Sequence, residues 1–227
     1  MFDIKYSFKS DLARQPETGM GYQIVEARFE KSERKELAIA YNGELLVMAS
    51  DPIVKIARES FDLTVLRAPS ASGEIRALTV VQKSQAFALD ARARESIGLK
   101  AATAKLGLGP ANEAAEEKTK EGEVFKRFVA YEKDFRLQAD GSWSKETYAT
   151  TEEDAKNVKS GREAVKRYAL PNKAPASYVW TGKPKKDTKI KRGTSQPAFD
   201  EPGGGVEVIF PDGTQASTVT GPVKIDD

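Results

Sequence analysis

The chain has 227 residues, of which 39% are hydrophobic and 31% charged, with a net charge of +2. That is enough chain to bury one large core or two small ones, and too little net charge to point to a nucleic acid or a membrane surface. It contains neither cysteine nor histidine. Disulfides, thiolate nucleophiles, Ser-His-Asp catalysis and the commonest zinc ligands are thereby excluded, and any chemistry must run on carboxylates, arginine, lysine, aromatic rings and backbone amides.

Phe2, Ile4, Tyr6 and Phe8 alternate with polar residues, the period of a strand with one buried face. The start lacks the basic and continuous apolar stretches of a signal peptide, so synthesis in the cytoplasm is expected, with export left to a specialised secretion system. No apolar run is long enough for a membrane-spanning helix. Residues 22–29 read as a second strand. Residues 36–41 and 44–48 flank Asn42-Gly43, a dipeptide that tolerates the positive φ of a tight hairpin. Ser50, Asp51 and Pro52 read as the start of a short helix reaching Arg58, and residues 61–67 and 75–82 as two more strands around a loop at 68–73. Residues 1–82 are thus expected to form an antiparallel sheet domain.

Residues 85–106 are rich in Ala, Leu, Arg and Lys behind Ser84, a candidate helix cap, and Gly107–Pro110 breaks the pattern. Residues 111–123 are mostly Ala, Glu and Lys, a solvated helix face or a linker. Val124, Phe128, Tyr131 and Phe135 fall at helical spacing and predict a second helix packed at its C-terminal half. Residues 83–139 are therefore expected to be a helical connector.

From residue 140 to 227 the pattern changes again. Thr151 and Ser160 are each followed three residues later by an acid, the capping-box signature of two successive short helices. Strands are expected at 177–180, 188–191, 206–210 and 219–225. The fold class that follows is α+β, with a β-rich C-terminal domain. The run Lys183–Arg192 holds six basic residues and one acid. It reads as a solvated strand edge that resists pairing with other chains rather than as a nucleic-acid surface, since no RNA-binding aromatic pattern or helix-turn-helix accompanies it.

Gly203, Gly204 and Gly205 stand between Pro202 and the strand at 206–210. Three glycines in a row are costly in backbone entropy, and fit either a backbone that approaches a ligand closely or a wide hairpin loop. Arg167 before Leu170-Pro171, a strand with Tyr178, Gly193, the step Pro197 to Phe199 and the Pro-Gly-Gly-Gly loop follow one another in order. In this order they resemble the NAD-glycohydrolase domain of the tuberculosis necrotizing toxin family, found at the C-terminal ends of many bacterial polymorphic toxins. The family usually has Gln where this chain has Glu207. The resemblance implies NAD as substrate, an immunity protein as partner and no cofactor beyond the substrate itself, and the lack of histidine and cysteine predicts no dependence on a transition metal.

The residues themselves permit such chemistry. Nicotinamide leaves as a neutral group, so cleavage of its bond to ribose needs orientation and negative charge beside a developing oxocarbenium ion. Glu207 is the candidate for that charge. Arg167 or Arg192 would hold the pyrophosphate, the amides of Gly203–Gly205 would line the floor of the site, and Tyr178, Phe199 or Trp180 would stack on the ring. Each has a plainer reading. Glu207 alternates with Val206, Val208 and Phe210 as an outward strand residue would, Tyr178 and Trp180 suit a core, and Arg167 suits a helix end. Two further functions stay open: an ADP-ribosyltransferase, in which another nucleophile captures the same cation, and a catalytically silent binding or structural module of a phage or secretion assembly.

Overall fold

The computed structural model describes residues 2–3, 6–29, 35–41, 45–48, 75–81, 110–170 and 175–226. Asn42-Gly43, the helices expected at 52–58 and 85–106, the strand expected at 61–67 and Pro171 lie outside these. The chain is α+β and dominated by antiparallel sheet.

The first sheet contains β1 (Phe2–Asp3), β2 (Tyr22–Phe29), β3 (Lys35–Tyr41), β4 (Leu45–Met48) and β5 (Ile75–Val81), in the order β1-β4-β3-β2-β5. The strand expected from Phe2 to Phe8 is only two residues long, because helix α1 (Tyr6–Arg14) takes over its second half. The reason is tertiary. Carbonyls at the end of α1 have partners elsewhere in the fold: the buried Gln23 amide donates to the carbonyls of Leu12, Gln15 and Pro16, and the Arg136 guanidinium to those of Ala13 and Gln15. Leu12 is fully buried.

The second sheet has seven strands: β6 (Glu116–Lys118), β7 (Phe125–Val129), β8 (Thr147–Thr151), β9 (Tyr178–Gly182), β10 (Lys189–Thr194), β11 (Val206–Phe210) and β12 (Val219–Lys224). Their order is β12-β9-β7-β8-β11-β10-β6. Two short helices accompany them, α2 (Glu152–Ala155) and α3 (Gly161–Tyr168). Both begin at the expected caps, with the Thr151 hydroxyl accepting from the Asp154 amide and the Ser160 hydroxyl from the Glu163 amide.

The second connector helix is not formed. A short 3-10 turn (Ala111–Glu113) and the strands β6 and β7 occupy residues 111–129. In β7, Phe125, Arg127 and Val129 alternate with Lys126 and Phe128. Phe128 packs in one core cluster and Phe125 and Val129 in another, and β7 pairs with strands on both sides, so burial on two faces outweighs the helical spacing. A division at residue 140 would thus cut through the middle of this sheet. The Glu-rich stretch is neither helix nor linker there: Glu116 and Glu117 of β6 pair with Lys191 and Ile190 of β10. The basic run is accordingly covered by an acidic three-residue edge strand instead of forming the edge itself.

One core lies on each face of this sheet. Phe128, Tyr148 and Ile209 pack with Ala164, Val165 and Tyr168 of α3 and with Met20 from the N-terminal segment. On the other face, Phe125, Val129, Trp143, Ala149, Trp180, Ile190, Val208 and Phe210 form a second cluster.

β7 and β8 pair only at Phe125 with Thr151 and Lys126 with Thr150. Beyond that point they are bridged by side chains. The amide of Tyr148 donates to Glu17 Oε2 (3.0 Å), and its carbonyl accepts from the Arg127 guanidinium (2.7 Å). The amide of Phe128 meets the sulfur of Met20 at 3.0 Å.

Candidate functional site

The C-terminal end of α3 leaves carbonyls without helical partners. The glycine loop supplies them. The amide of Gly203 donates to the Lys166 carbonyl and that of Gly205 to the Arg167 carbonyl, while Gly204 donates to Ser195. The Ser195 hydroxyl donates to the Tyr168 carbonyl (2.7 Å). The loop therefore acts as a cap on the negative end of a helix dipole, and its three amides are not turned toward an anion. Close approach explains Gly203 and Gly205. A Cβ on Gly205 would stand 2.6 Å from the Tyr168 ring and 2.8 Å from Cγ of Arg167, and one on Gly203 would stand 2.4 Å from the Ser195 carbonyl oxygen.

Above this cap lies a group that the spacing of the sequence did not single out. Asp154, read there only as the acid of a capping box, turns its carboxylate inward. It accepts two hydrogen bonds from the Arg167 guanidinium, one from the Tyr168 hydroxyl (3.0 Å) and one from the Val206 amide. Burial would raise the Asp154 pKa, but Arg167, Val206 and Tyr168 outweigh it and hold the carboxyl below its ordinary range. The Arg167 pKa is raised in turn, first by its hydrogen bond to Asp154. Burial, above all, raises that of the Tyr168 hydroxyl. The Arg167 side chain is still 32% exposed.

Glu207 follows Val206 directly. It is only 6% exposed, so it is not an outward residue of a solvated strand. It sits opposite Gly193 of β10 and shares its side of β11 with Ile209, the partner of Tyr148 in β8. The pKa of the Tyr148 hydroxyl is pushed well up, first by burial and then by the charge of Glu207.

The remaining sequence candidates are dispersed. Arg192 lies opposite Val208, hence on the other face of the sheet from Glu207, and pairs with Glu117 (3.2 Å) and Glu123 (2.9 Å). Tyr178 packs against the second core cluster, which also contains Trp180. Phe199 is buried, with its ring edge-on to Tyr22 of the N-terminal segment at 5.0 Å between centroids. Asp154, Arg167, Tyr168 and the glycine loop thus form one connected group that reaches the Val206 amide, and the charge of the next residue, Glu207, acts on Tyr148. Among the described residues no group of acidic side chains is placed to hold a metal ion, and no helix is long and apolar enough to cross a membrane. No protein-family model, curated protein or solved structure matches the chain.

Proposed function

We propose that the chain is an NAD-consuming enzyme, most simply a glycohydrolase that releases nicotinamide and ADP-ribose. The observation that carries this reading is that Arg167, distant in sequence, packs against the glycine loop that leads into Glu207, a grouping that the toxin-family resemblance implies. Asp154 ties the guanidinium of Arg167 to the backbone amide just before Glu207. In the reaction the bond between nicotinamide nitrogen and ribose C1′ breaks, its electron pair leaves with nicotinamide, and water attacks C1′ and loses a proton. A carboxylate at Glu207 would stabilise the cationic ribose in between, and its burial strengthens that effect. Arg167, with part of its surface open, would take the pyrophosphate. Tyr178 and Arg192 are assigned no part. ADP-ribosyl transfer is the variant in which another nucleophile replaces water. Export and an immunity protein belong to the same reading.

A second reading, a catalytically silent binding module, is favoured by the internal use of the glycine amides and of the Arg167 guanidinium. One experiment separates the two. Purified protein is incubated with NAD and nicotinamide release is followed, with Glu207→Ala as control. Turnover that falls with the variant supports the enzyme; absence of turnover in the unaltered protein leaves the binding module.

A further inference from the structure

The seam between β7 and β8 is lined by charge that is wholly removed from water. The side chains of Glu17, Arg127, Asp134 and Arg136 all have no solvent-accessible surface or nearly none. Arg127 binds Asp134 on one side and grips Glu17 with both terminal nitrogens at 2.8 Å. Burial would lower the Arg127 pKa, but Asp134 and Glu17 outweigh it and raise it. The Glu17 carboxylate is completed by the amides of Tyr148 (3.0 Å) and Gly21 (3.2 Å) and lies 3.5 Å from Nε of Arg136. Two guanidinium cations thus face two carboxylates. Without Glu17 the carboxy-terminal sheet would hold two buried arginines against Asp134 alone.

Those contacts have the geometry of a binding slot. A guanidinium fork plus a backbone amide matches the two oxygens of a planar carboxylate, and the charge makes those bonds about twice as strong as bonds to a neutral acceptor. Next to it, Arg136 reads the carbonyls of Ala13 and Gln15 at the end of α1, and the Phe128 amide meets Met20. Tyr22 then closes on Phe199. The occupant is thereby specified over a helix end, an acid, a thioether and an aromatic ring, all drawn from residues 13–22.

We propose that the β7–β8 seam is a docking slot for the Glu17 segment of this same chain, strong enough to hold the amino- and carboxy-terminal units together as a non-covalent complex once the stretch between them is cut. Proteolysis between residues 82 and 109 would then nick the protein without releasing its C-terminal unit. The seam does not rest on the proposed NAD chemistry: Glu17, Arg127, Asp134 and Arg136 have no part in the Asp154–Glu207 site, and Tyr148, which adjoins both, serves the seam through its backbone.

The test uses the full chain with a recognition sequence for a specific protease inserted between residues 82 and 109. After complete cleavage, size-exclusion chromatography with light scattering should return a single species with the mass of the uncut chain. Glu17→Ala should weaken the association of the two pieces by at least about a hundredfold, the scale of stranding a buried charge. Separation of the pieces of the unaltered protein would overturn the proposal, and so would a cut Glu17→Ala protein that holds together as firmly. A second measurement guards against a variant that does not fold. In the intact, unaltered chain, hydrogen exchange should find the Tyr148 amide as protected as those of β11. Exchange at the rate of an open strand edge would equally overturn the slot.

Discussion

Two arginines of the seven-stranded sheet meet carboxylates under opposite conditions. Arg127 is sealed between Glu17 and Asp134 with no exposure, whereas Arg167 holds Asp154 with a third of its side chain open to water. The sealed pair has nothing left to offer a ligand. Its full desolvation makes it costly to disturb, because removing one partner leaves a charge buried and unpaired. The open pair keeps part of a guanidinium at the surface, beside a glycine loop and the enclosed Glu207. The same chemical couple thus serves as a rivet in one place and as the wall of a candidate site in the other. Solvent access is the variable that separates them.

The sharpest way to break this contrast is Glu17→Ala. It should cost about 3–5 kcal/mol in the free energy of unfolding, read from urea denaturation. Glu17→Gln should cost less, since it keeps an acceptor for the Tyr148 amide. A loss below about 1 kcal/mol for the alanine variant would mean that the seam is wet.

Next in size is the effect of Glu207→Ala on nicotinamide release. A fall of about a hundredfold is expected, the scale of one electrostatic contact made in a transition state. Glu207→Gln keeps the volume and removes the charge, so equal turnover in that variant would place the effect in packing.

Gly205→Ala comes third. Its new methyl group would press on Tyr168 and Arg167 at 2.6 and 2.8 Å. A loss of about 1–3 kcal/mol is expected from overpacking, measured by thermal denaturation.

The pH dependence is a finer probe of the open pair. The folded pKa of Asp154 lies below its unfolded value, chiefly because Arg167 overcomes the effect of burial. Its stabilising contribution is therefore complete above the ordinary carboxylate range near about 4, and is lost as the pH falls through the folded pKa. Asp154→Asn should flatten the acid limb of stability against pH and leave the pH 6–8 region parallel to that of the unaltered protein. An unchanged acid limb would remove Asp154 as its source. The smallest effect is expected from Arg192→Ala. Its pairs with Glu117 and Glu123 lie near the surface, so the loss should stay under about 1 kcal/mol and shrink with added salt.

Strands and caps in the carboxy-terminal part were legible in the sequence because their signals are local. Thr151 and Ser160 begin helices where the spacing of hydroxyl and acid puts them, and Val206–Phe210 is a strand as its alternation suggests. β7 was not legible. Its apolar residues satisfy a helical spacing too, and only the presence of β8 and β9 on its two sides decides the matter. α1 was hidden for the same kind of reason: Arg136, one of the side chains that receive its end, lies far along the chain. At the site, the grouping of Arg167 with the glycines was readable from the order of motifs. The direction of the glycine amides was not, since the same three residues serve an anion or a helix end, and the choice depends on what stands opposite. Asp154 showed itself only as a cap. An acid in a capping box just ahead of a second helix that carries an arginine was the one available signal.

The outer strands of the seven-stranded sheet bear on how the protein behaves in a crowded solution. β6, at one end, is three residues long, and all its side chains are exposed; two of them are glutamates and the third a lysine. β12, at the other end, shifts its register between Thr220 and Val223, where Pro222 has no amide hydrogen to offer. A passing chain seeking to extend the sheet would find a short charged ledge on one side and an interrupted ladder on the other. Among the described residues, Val223, 62% exposed, is the one large apolar side chain displayed there. The many strands of this sheet are thus laid side by side without leaving a template at either end on which a second molecule could begin a fibre.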